Sequence, residues 1–293
     1  MMADRADQSG TAAFRITQPV GRTVSPLVFA SPHSGRHYPQ TAGFDPALSG
    51  LSLRSAEDAH VDRLIERAPA LGIPVLQATH GRAWLDLNRA ASELDPVLIE
   101  GLETADEGGP RAQAGYGVVP RLTGDGRPLY ARRLSRNEVT HRIDTAHAPY
   151  HAALESLMDE AHARHGVALL IDWHSMPGPR PSPPAKRPVT SWPQIVLGDR
   201  HGTACATALT RRVAALLRGE GLRVALNHPY AGGWTTERWG RPKAGFHALQ
   251  IELSRALYLD EATLQPGPGW GRCEGLVTRL IEALSRESIS LIR

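Results

Sequence analysis

Two histidines each sit where an apolar run breaks into polar residues. His33 falls in S-P-H-S-G-R-H-Y-P after residues 27–30, and His174 in I-D-W-H-S-M-P after V-A-L-L. An imidazole at such a place suits metal ligation or proton transfer, and equally a plain structural hydrogen bond. Carboxylates complete the candidate set. Glu57 and Asp58 stand side by side in L-R-S-A-E-D-A-H-V-D, and Glu252 interrupts the apolar H-A-L-Q-I-E-L-S-R. A buried glutamate is costly unless it is paired or functional. A catalytic zinc site needs three nitrogen or oxygen ligands, a carboxylate to take a proton from water, and positive charge facing the nascent oxyanion. His33, His174 and one of the acid pair could be the ligands, Glu252 the base and Arg82 the positive charge. Arg82, Asn88 and Arg89, in G-R-A-W-L-D-L-N-R, are groups of the kind that grip a carboxylate. For any single arginine, a surface salt bridge is the plainer reading.

These side chains need elements to position them. Residues 167–177 read as a fully buried central strand, and in open α/β sheets sites gather outside the carboxyl ends of strands. Residues 27–30 repeat that pattern, with Pro32 and Pro39 bracketing the turn that holds His33, Ser34, Gly35 and Arg36. Parallel neighbours would put both imidazoles at one sheet edge. Residues 53–68 read as a helix capped by Ser55, with Val61, Leu64, Ile65 and Ala68 on one face. Glu57 and Asp58 would then lie in its first turn, where capping competes with a ligand role. Residues 73–77 and 83–87 alternate like strands. Residues 91–136 are rich in Gly, Pro and Arg, as in a long substrate loop, with hairpin pieces at 115–122 and 128–130.

A helix over 137–165 follows, capped by Ser135 and kinked by Pro149. Its histidines share no single face and read as mostly solvated; the His147–His151 spacing is a weak metal signal without a glutamate between them. Residues 177–193 form a Pro-rich loop with Arg180, Lys186 and Arg187. Strands at 195–197 and 222–226 flank a helix from 198 to 219. A glycine-rich turn fills 227–242. The strand at 247–255 would point Ala248, Gln250 and Glu252 one way and Leu249, Ile251 and Leu253 the other. The last helix covers 272–288. This alternation means an α/β fold with a mixed, largely parallel sheet.

With 293 residues, 41% of them hydrophobic, the chain can form one domain over 14–293 behind a loose tail at 1–13. Net charge is +3, and the only lysines are Lys186 and Lys243. The arginines are scattered without a basic run, which argues against nucleic acid as a partner. Cys205 and Cys273 lie far apart without C-x-x-C spacing, as suits a reducing cytosol. The polar start and the lack of a membrane-length apolar run give the expectation of a soluble cytoplasmic protein with no membrane partner.

Taken together, S-P-H-S-G-R-H-Y-P, L-R-S-A-E-D-A-H-V-D, D-L-N-R, I-D-W-H-S-M-P, V-L-G-D-R-H-G-T, A-G-G-W-T-T-E-R-W-G-R-P and H-A-L-Q-I-E-L-S-R-A-L-Y-L-D-E resemble the N-formylglutamate amidohydrolase (deformylase) family, in order from 27 to 261. The resemblance implies a zinc-carboxypeptidase-like (phosphorylase/hydrolase-like) fold, with a mixed sheet of about eight strands between helices. It implies Zn2+ held by His33 and His174, substrate carboxylate held by Asn88 and Arg89, carbonyl polarisation by Arg82, and Glu252 as general base and later proton donor. Carboxypeptidase-like relatives draw ligands from His-x-x-Glu, but the fourth position here is Arg36. The carboxylate ligand must come from elsewhere, and Asp58 matches an aspartate of the deformylase pattern, with Glu57 the alternative. The implied reaction cleaves the formyl or related acyl amide of an N-acylated acidic amino acid. A further cation, Arg142 or Arg241, is expected to read the substrate's side-chain carboxylate. Rival readings are a deacylase or carboxypeptidase on the same scaffold, or a binding protein that has lost turnover; the oligomeric state stays open.

Overall fold

Nine consecutive buried residues, Ala168–Met176 (β4), run through the middle of the molecule. A computed structural model describes residues 12–21, 25–102, 108–179 and 192–292. Around β4 lie β1 (Phe14–Thr17), β2 (Leu27–Ser31), β3 (Val75–Ala78), β5 (Ile195–Gly198), β6 (Val224–Leu226) and β7 (Phe246–Ser254). The sheet order is β1-β3-β2-β4-β7-β5-β6. β3, β2, β4 and β7 are mutually parallel. β1 runs antiparallel to β3, and β5 antiparallel to β7. Among the described residues the central sheet thus has seven strands where about eight were expected, and a separate pair, β8 (Leu259–Asp260) and β9 (Gln265–Pro266), stands apart. The edge strand β1 has no counterpart in the sequence reading.

Period-two alternation sorts the strand side chains onto two cores. Leu27, Phe29, Leu169, Ile171, Trp173, Leu249, Ile251 and Leu253 meet α6 (Thr207–Gly219) and α8 (Trp270–Ile292) on one face. Val28, Ala30, Leu170 and Ala248 meet α5 (Ala148–His165) on the other. Asp172, His174, Gln250 and Glu252 share the parity of this second face. The expected division of the strand around residue 252 therefore holds, with Gln250 and Glu252 on one side, while His247, on the other, accepts the Ala206 N–H just before α6.

The expected helix over 53–68 is broken. It resolves into α1 (Gly50–Arg54), capped by Ser49, and α2 (Val61–Leu64). The Ser55 hydroxyl turns back to the Ser52 carbonyl at 2.6 Å, closing α1 rather than opening a helix. Asp58 gives its N–H to the His33 carbonyl at 2.9 Å, and His60 adopts a left-handed φ of 64°. Long-range hydrogen bonds outbid the local helical ones here, while Val61, Leu64, Ile65 and Ala68 stay buried as expected. Residues 83–87 form turns and irregular backbone rather than a strand, with both parities buried: the Trp84 and Asp86 N–H groups bond the Gly81 and Val118 carbonyls, and the Trp84 and Leu87 carbonyls accept from Arg142 and His151. The helix expected from 198 starts at Thr207, after turns with positive φ at Arg200 and His201. The glycine-rich region contains a short helix, α7 (Trp234–Trp239), that its composition concealed. Within 91–136 lie α3 (Gly109–Gln113) and isolated bridges pairing Ile99 with Leu134 and Leu122 with Pro128. Of the Pro-rich loop, 180–191, with Arg180, Lys186 and Arg187, lies outside the described residues.

The long helix over 137–165 forms with a capping box of Ser135 and Glu138 opening α4 (Arg136–Arg142). Pro149 has no N–H to give, and the turn before it, Ile143–His147, widens to π geometry before α5 begins. Arg142 is not a substrate cation. It is buried, donating to the carbonyls of Trp84 (3.0 Å) and Ala42 (2.8 Å) and to the Tyr130 hydroxyl (2.7 Å). Arg142→Met strands those acceptors in the core, and urea denaturation should show a loss of about 3 kcal/mol. A loss below about 0.5 kcal/mol, the usual limit for an exposed site, would contradict this structural role.

Both cysteines are free and buried. Among the described residues, no helix is long and apolar enough to cross a membrane.

Candidate active site

The turn after β2 can carry His33 because Gly35 leaves no side chain in the way. A Cβ there would lie 2.1 Å from the His80 carbonyl oxygen. Arg36 and His37 give their N–H groups to the Thr79 carbonyl, docking this turn on the end of β3. His174 projects from the neighbouring parallel strand, near its carboxyl end, and the His33–Asp58 backbone bond brings the 57–60 loop over both rings.

The result is a tight cluster. One ligand atom each from His33, Asp58 and His174 lie within 4.8 Å of one another, and all three residues are buried. Asp58 Oδ2 is 3.3 Å from His33 Nδ1 and 3.0 Å from His174 Nδ1. The far nitrogens face other carboxylates: His33 Nε2 lies 2.7 Å from Asp86 Oδ1, and His174 Nε2 lies 3.0 Å from Asp172 Oδ2. Placing the ring proton on each Nε2 leaves both Nδ1 lone pairs directed into the gap. His33 Nδ1 is a buried nitrogen with no hydrogen-bond partner among the described residues. Asp58 Oδ1 is engaged by Ser175 Oγ at 3.1 Å and Arg255 Nη2 at 3.3 Å, so Oδ2 alone is presented inward. Two imidazole nitrogens and one carboxylate oxygen, each backed by a partner, are a donor set that fits zinc.

The electrostatics agree with a cation site. Burial resists ionisation of Asp58, but its hydrogen bond to His174 and the nearby charge of His33 and His174 hold it well below the usual carboxylate range. Burial also resists charge on His174, and Asp172 and Asp58 outweigh it, raising the imidazole well above its ordinary value. The field of these carboxylates favours positive charge in the gap.

Glu252 is the register partner of His174 across β4 and β7 and is 7% exposed. Its Oε1 accepts a hydrogen bond from Gln250 Nε2 at 2.8 Å. Burial pushes its carboxyl up to about 7; charge on His174 opposes that shift and charge on Asp58 adds to it. A carboxylate poised near neutrality suits proton transfer.

Arg82 gives Nε to Asp86 Oδ2 at 2.9 Å and remains about a quarter exposed, at 26%. Asn88 Oδ1 accepts the Thr235 N–H at 2.9 Å, while its Nδ2 lies 3.2 Å from His174 Nε2. Arg89 donates from Nε to the Tyr116 carbonyl and from Nη1 to that of Asn88. Gly233 lets α7 approach this closely, since a Cβ there would sit 2.4 Å from Asn88 Nδ2. His147 and His151, the weak metal signal among helix histidines expected to be mostly solvated, are buried. Their Nε2 atoms bond the carbonyls of Arg89 (2.8 Å) and Leu87 (2.9 Å), and their rings lie 4.4 Å apart. Four-residue spacing puts them on one face of the helix, where they brace the D-L-N-R loop rather than hold a metal.

A cavity of about 280 Å3 opens beside the cluster, lined by His33, Asp58, His174, Arg82, Arg89 and Glu252, with Arg111, Tyr116 and Tyr230 on its walls. Glu57 turns away, bonded to Arg54 (3.0 Å) and Tyr38 (2.8 Å). Arg241 is outside the cavity, its guanidinium 4.8 Å from the Phe246 ring centroid. Sequence reasoning missed Asp86, Asp172, Ser175 and Arg255 as partners of the cluster. Asp172 had a usable signal, because a carboxylate two positions before a strand histidine shares its face.

The family model for N-formylglutamate amidohydrolase matches residues 25–259. N-formylglutamate deformylase of Pseudomonas aeruginosa is 30% identical over 240 residues, covering 80% of this chain and 83% of that protein. The Pseudomonas putida N-formylglutamate deformylase is 29% identical over 243 residues, covering 80% and 82%. Among solved structures, the N-formylglutamate amidohydrolase of Ralstonia eutropha JMP134 aligns with a TM-score of 0.86 and 35% identity, over 96% of this chain and 99% of that one. A protein from Agrobacterium tumefaciens shares the fold, with a TM-score of 0.65 and 16% identity over 94% of each chain.

Proposed function

The chain belongs to the N-formylglutamate amidohydrolase family, and from that premise we propose that it is a zinc-dependent cytoplasmic enzyme cleaving N-formyl-L-glutamate to formate and glutamate. The observation that carries this reading is the meeting of His33 Nδ1, His174 Nδ1 and Asp58 Oδ2 beside the register-paired Glu252. His33, Asp58 and His174 hold the metal. Zinc bound there would supply Lewis acidity toward a carbonyl oxygen and would acidify water.

Glu252 accepts the proton of the attacking water as its oxygen adds to the formyl carbon. Arg82, held by Asp86 yet open to the cavity, faces the oxygen that becomes anionic. Glu252 then returns the proton to the amide nitrogen as the C–N bond breaks, so formate and the free amine leave. Asn88 and Arg89 orient the α-carboxylate. Asn88 does so through its Nδ2, since its Oδ1 accepts the Thr235 N–H. Free buried Cys205 and Cys273 accord with a reducing compartment.

The test is formate release from N-formylglutamate by protein of measured zinc content, beside N-acetylaspartate, N-succinylglutamate and short peptides. About one zinc per chain, strong preference for N-formylglutamate, loss of turnover on chelation and recovery on adding zinc are expected. Full turnover by metal-free protein would exclude the metal. Failure of zinc-loaded protein on N-formylglutamate alone would move the substrate to another member of the panel.

A further inference from the structure

N-formylglutamate carries a second carboxylate, its carboxyl carbon four bonds from the first along the carbon chain by ordinary covalent geometry. Four arginines line the cavity: Arg82, Arg89, Arg111 and Arg255. Three are committed to protein groups. Arg255 bonds Ser175 Oγ, the Ser55 carbonyl and Asp58. Arg82 bonds Asp86, and Arg89 gives two of its nitrogens to carbonyls. Arg111, on α3, is exposed, and its side chain makes no hydrogen bond or ion pair with the other described residues.

Its backbone is nevertheless fixed relative to Arg89. The Tyr116 N–H donates to the Arg111 carbonyl at 2.8 Å, and the Tyr116 carbonyl accepts from Arg89 Nε at 3.0 Å. One residue thus links the two arginines on adjoining walls of the cavity. Burial lowers the pKa of the Arg89 guanidinium; Asp86 opposes that shift, and the charges of Arg82 and then Arg111 add to it. Glu93, 3.8 Å from Arg89 Nε, offsets part of that repulsion but lies on Arg89, not Arg111. Two cations facing one cavity are relieved by an anion between or beside them. Arg142 is sealed in the core and Arg241 lies outside the cavity, so neither competes for this place.

We propose that Arg111 is the specificity-determining residue, binding the side-chain carboxylate of the N-acyl glutamate from the outer wall while Arg89 takes the α-carboxylate. This rests on the N-formylglutamate reading above. It makes α3 and the turn after it a recognition wall that selects dianionic substrates over analogues of the same length with an uncharged side chain.

The test compares N-formylglutamate with N-formylglutamine in wild type, Arg111→Met and Arg111→Lys, all at matched zinc content. The wild-type preference for the charged substrate should fall roughly 10- to 100-fold in Arg111→Met, the range for losing a charge-assisted hydrogen bond. The fall should appear in KM more than in kcat, and Arg111→Lys should recover part of it. If Arg111→Met leaves the preference unchanged, or lowers kcat/KM equally for both substrates, Arg111 does not read that carboxylate, although the deformylase reading stands. If zinc-loaded wild type does not hydrolyse N-formylglutamate, both readings fall together.

Discussion

Glu252→Gln should lower kcat by about 10³- to 10⁴-fold while the protein keeps its full zinc content. The substitution preserves shape. A glutamine Oε1 can still accept from Gln250 Nε2, as Glu252 does now at 2.8 Å. What disappears is the group that takes a proton and gives it back. Zinc should stay, because the converging donors are His33, Asp58 and His174, and Glu252 is not among them. Retained turnover would show that another group is the base, and lost zinc would show that residue 252 helps hold the metal.

The same variant has a stability signature in metal-free protein. Burial raises the Glu252 carboxyl in the folded state to about 7, from an ordinary value of 4.5. A carboxyl raised on folding favours the fold below its unfolded pKa and loses that contribution as pH climbs to the folded pKa. Metal-free wild type should therefore lose stability across roughly pH 4.5 to 7 through this group, and Glu252→Gln should not. Urea midpoints at the two ends of that window, compared between wild type and variant, measure the difference.

Asp58→Asn should cost the protein its metal, with zinc content after dialysis falling well below one per chain and turnover falling with it. A neutral amide oxygen replaces the only anionic donor of the set, and metal ligands in such sites need their charge. The loss spreads outward, because Asp58 Oδ1 now neutralises buried Arg255 and takes the Ser175 hydroxyl. Leaving that arginine without its partner should cost about 3 kcal/mol in the metal-free state. Glu57→Gln is the matched control. Glu57 is bonded to Arg54 and Tyr38, so its variant should keep zinc. Equal zinc in the two variants would remove Asp58 from the ligand set.

The strands were readable because their signal is local. Residues 167–177 and 247–255 announce themselves by apolar character and period-two parity, and β4 and β7 lie side by side in register there. Parity also put Glu252 on the polar side without any knowledge of its neighbours. The helix over 53–68 misled for the opposite reason. Its capping and apolar spacing are sound local signals, but the His33 carbonyl, 25 residues earlier, captures the Asp58 N–H and breaks the helix.

Sequence alone determined the α/β alternation, the strand-end histidines, the isolated glutamate and the resemblance that links them. Each is written in residue order and short-range period. Tertiary structure decided the rest. It set Asp86 and Asp172 behind the imidazoles, gave Asp58 rather than its neighbour to the cluster, sealed Arg142 in the core and stood Arg111 on the cavity wall. Those outcomes depend on partners from distant segments, such as residues 42, 84 and 130 around Arg142. A hydrogen bond between such segments forms only once strand register and loop docking bring donor and acceptor within about 3 Å. No local periodicity encodes that distance.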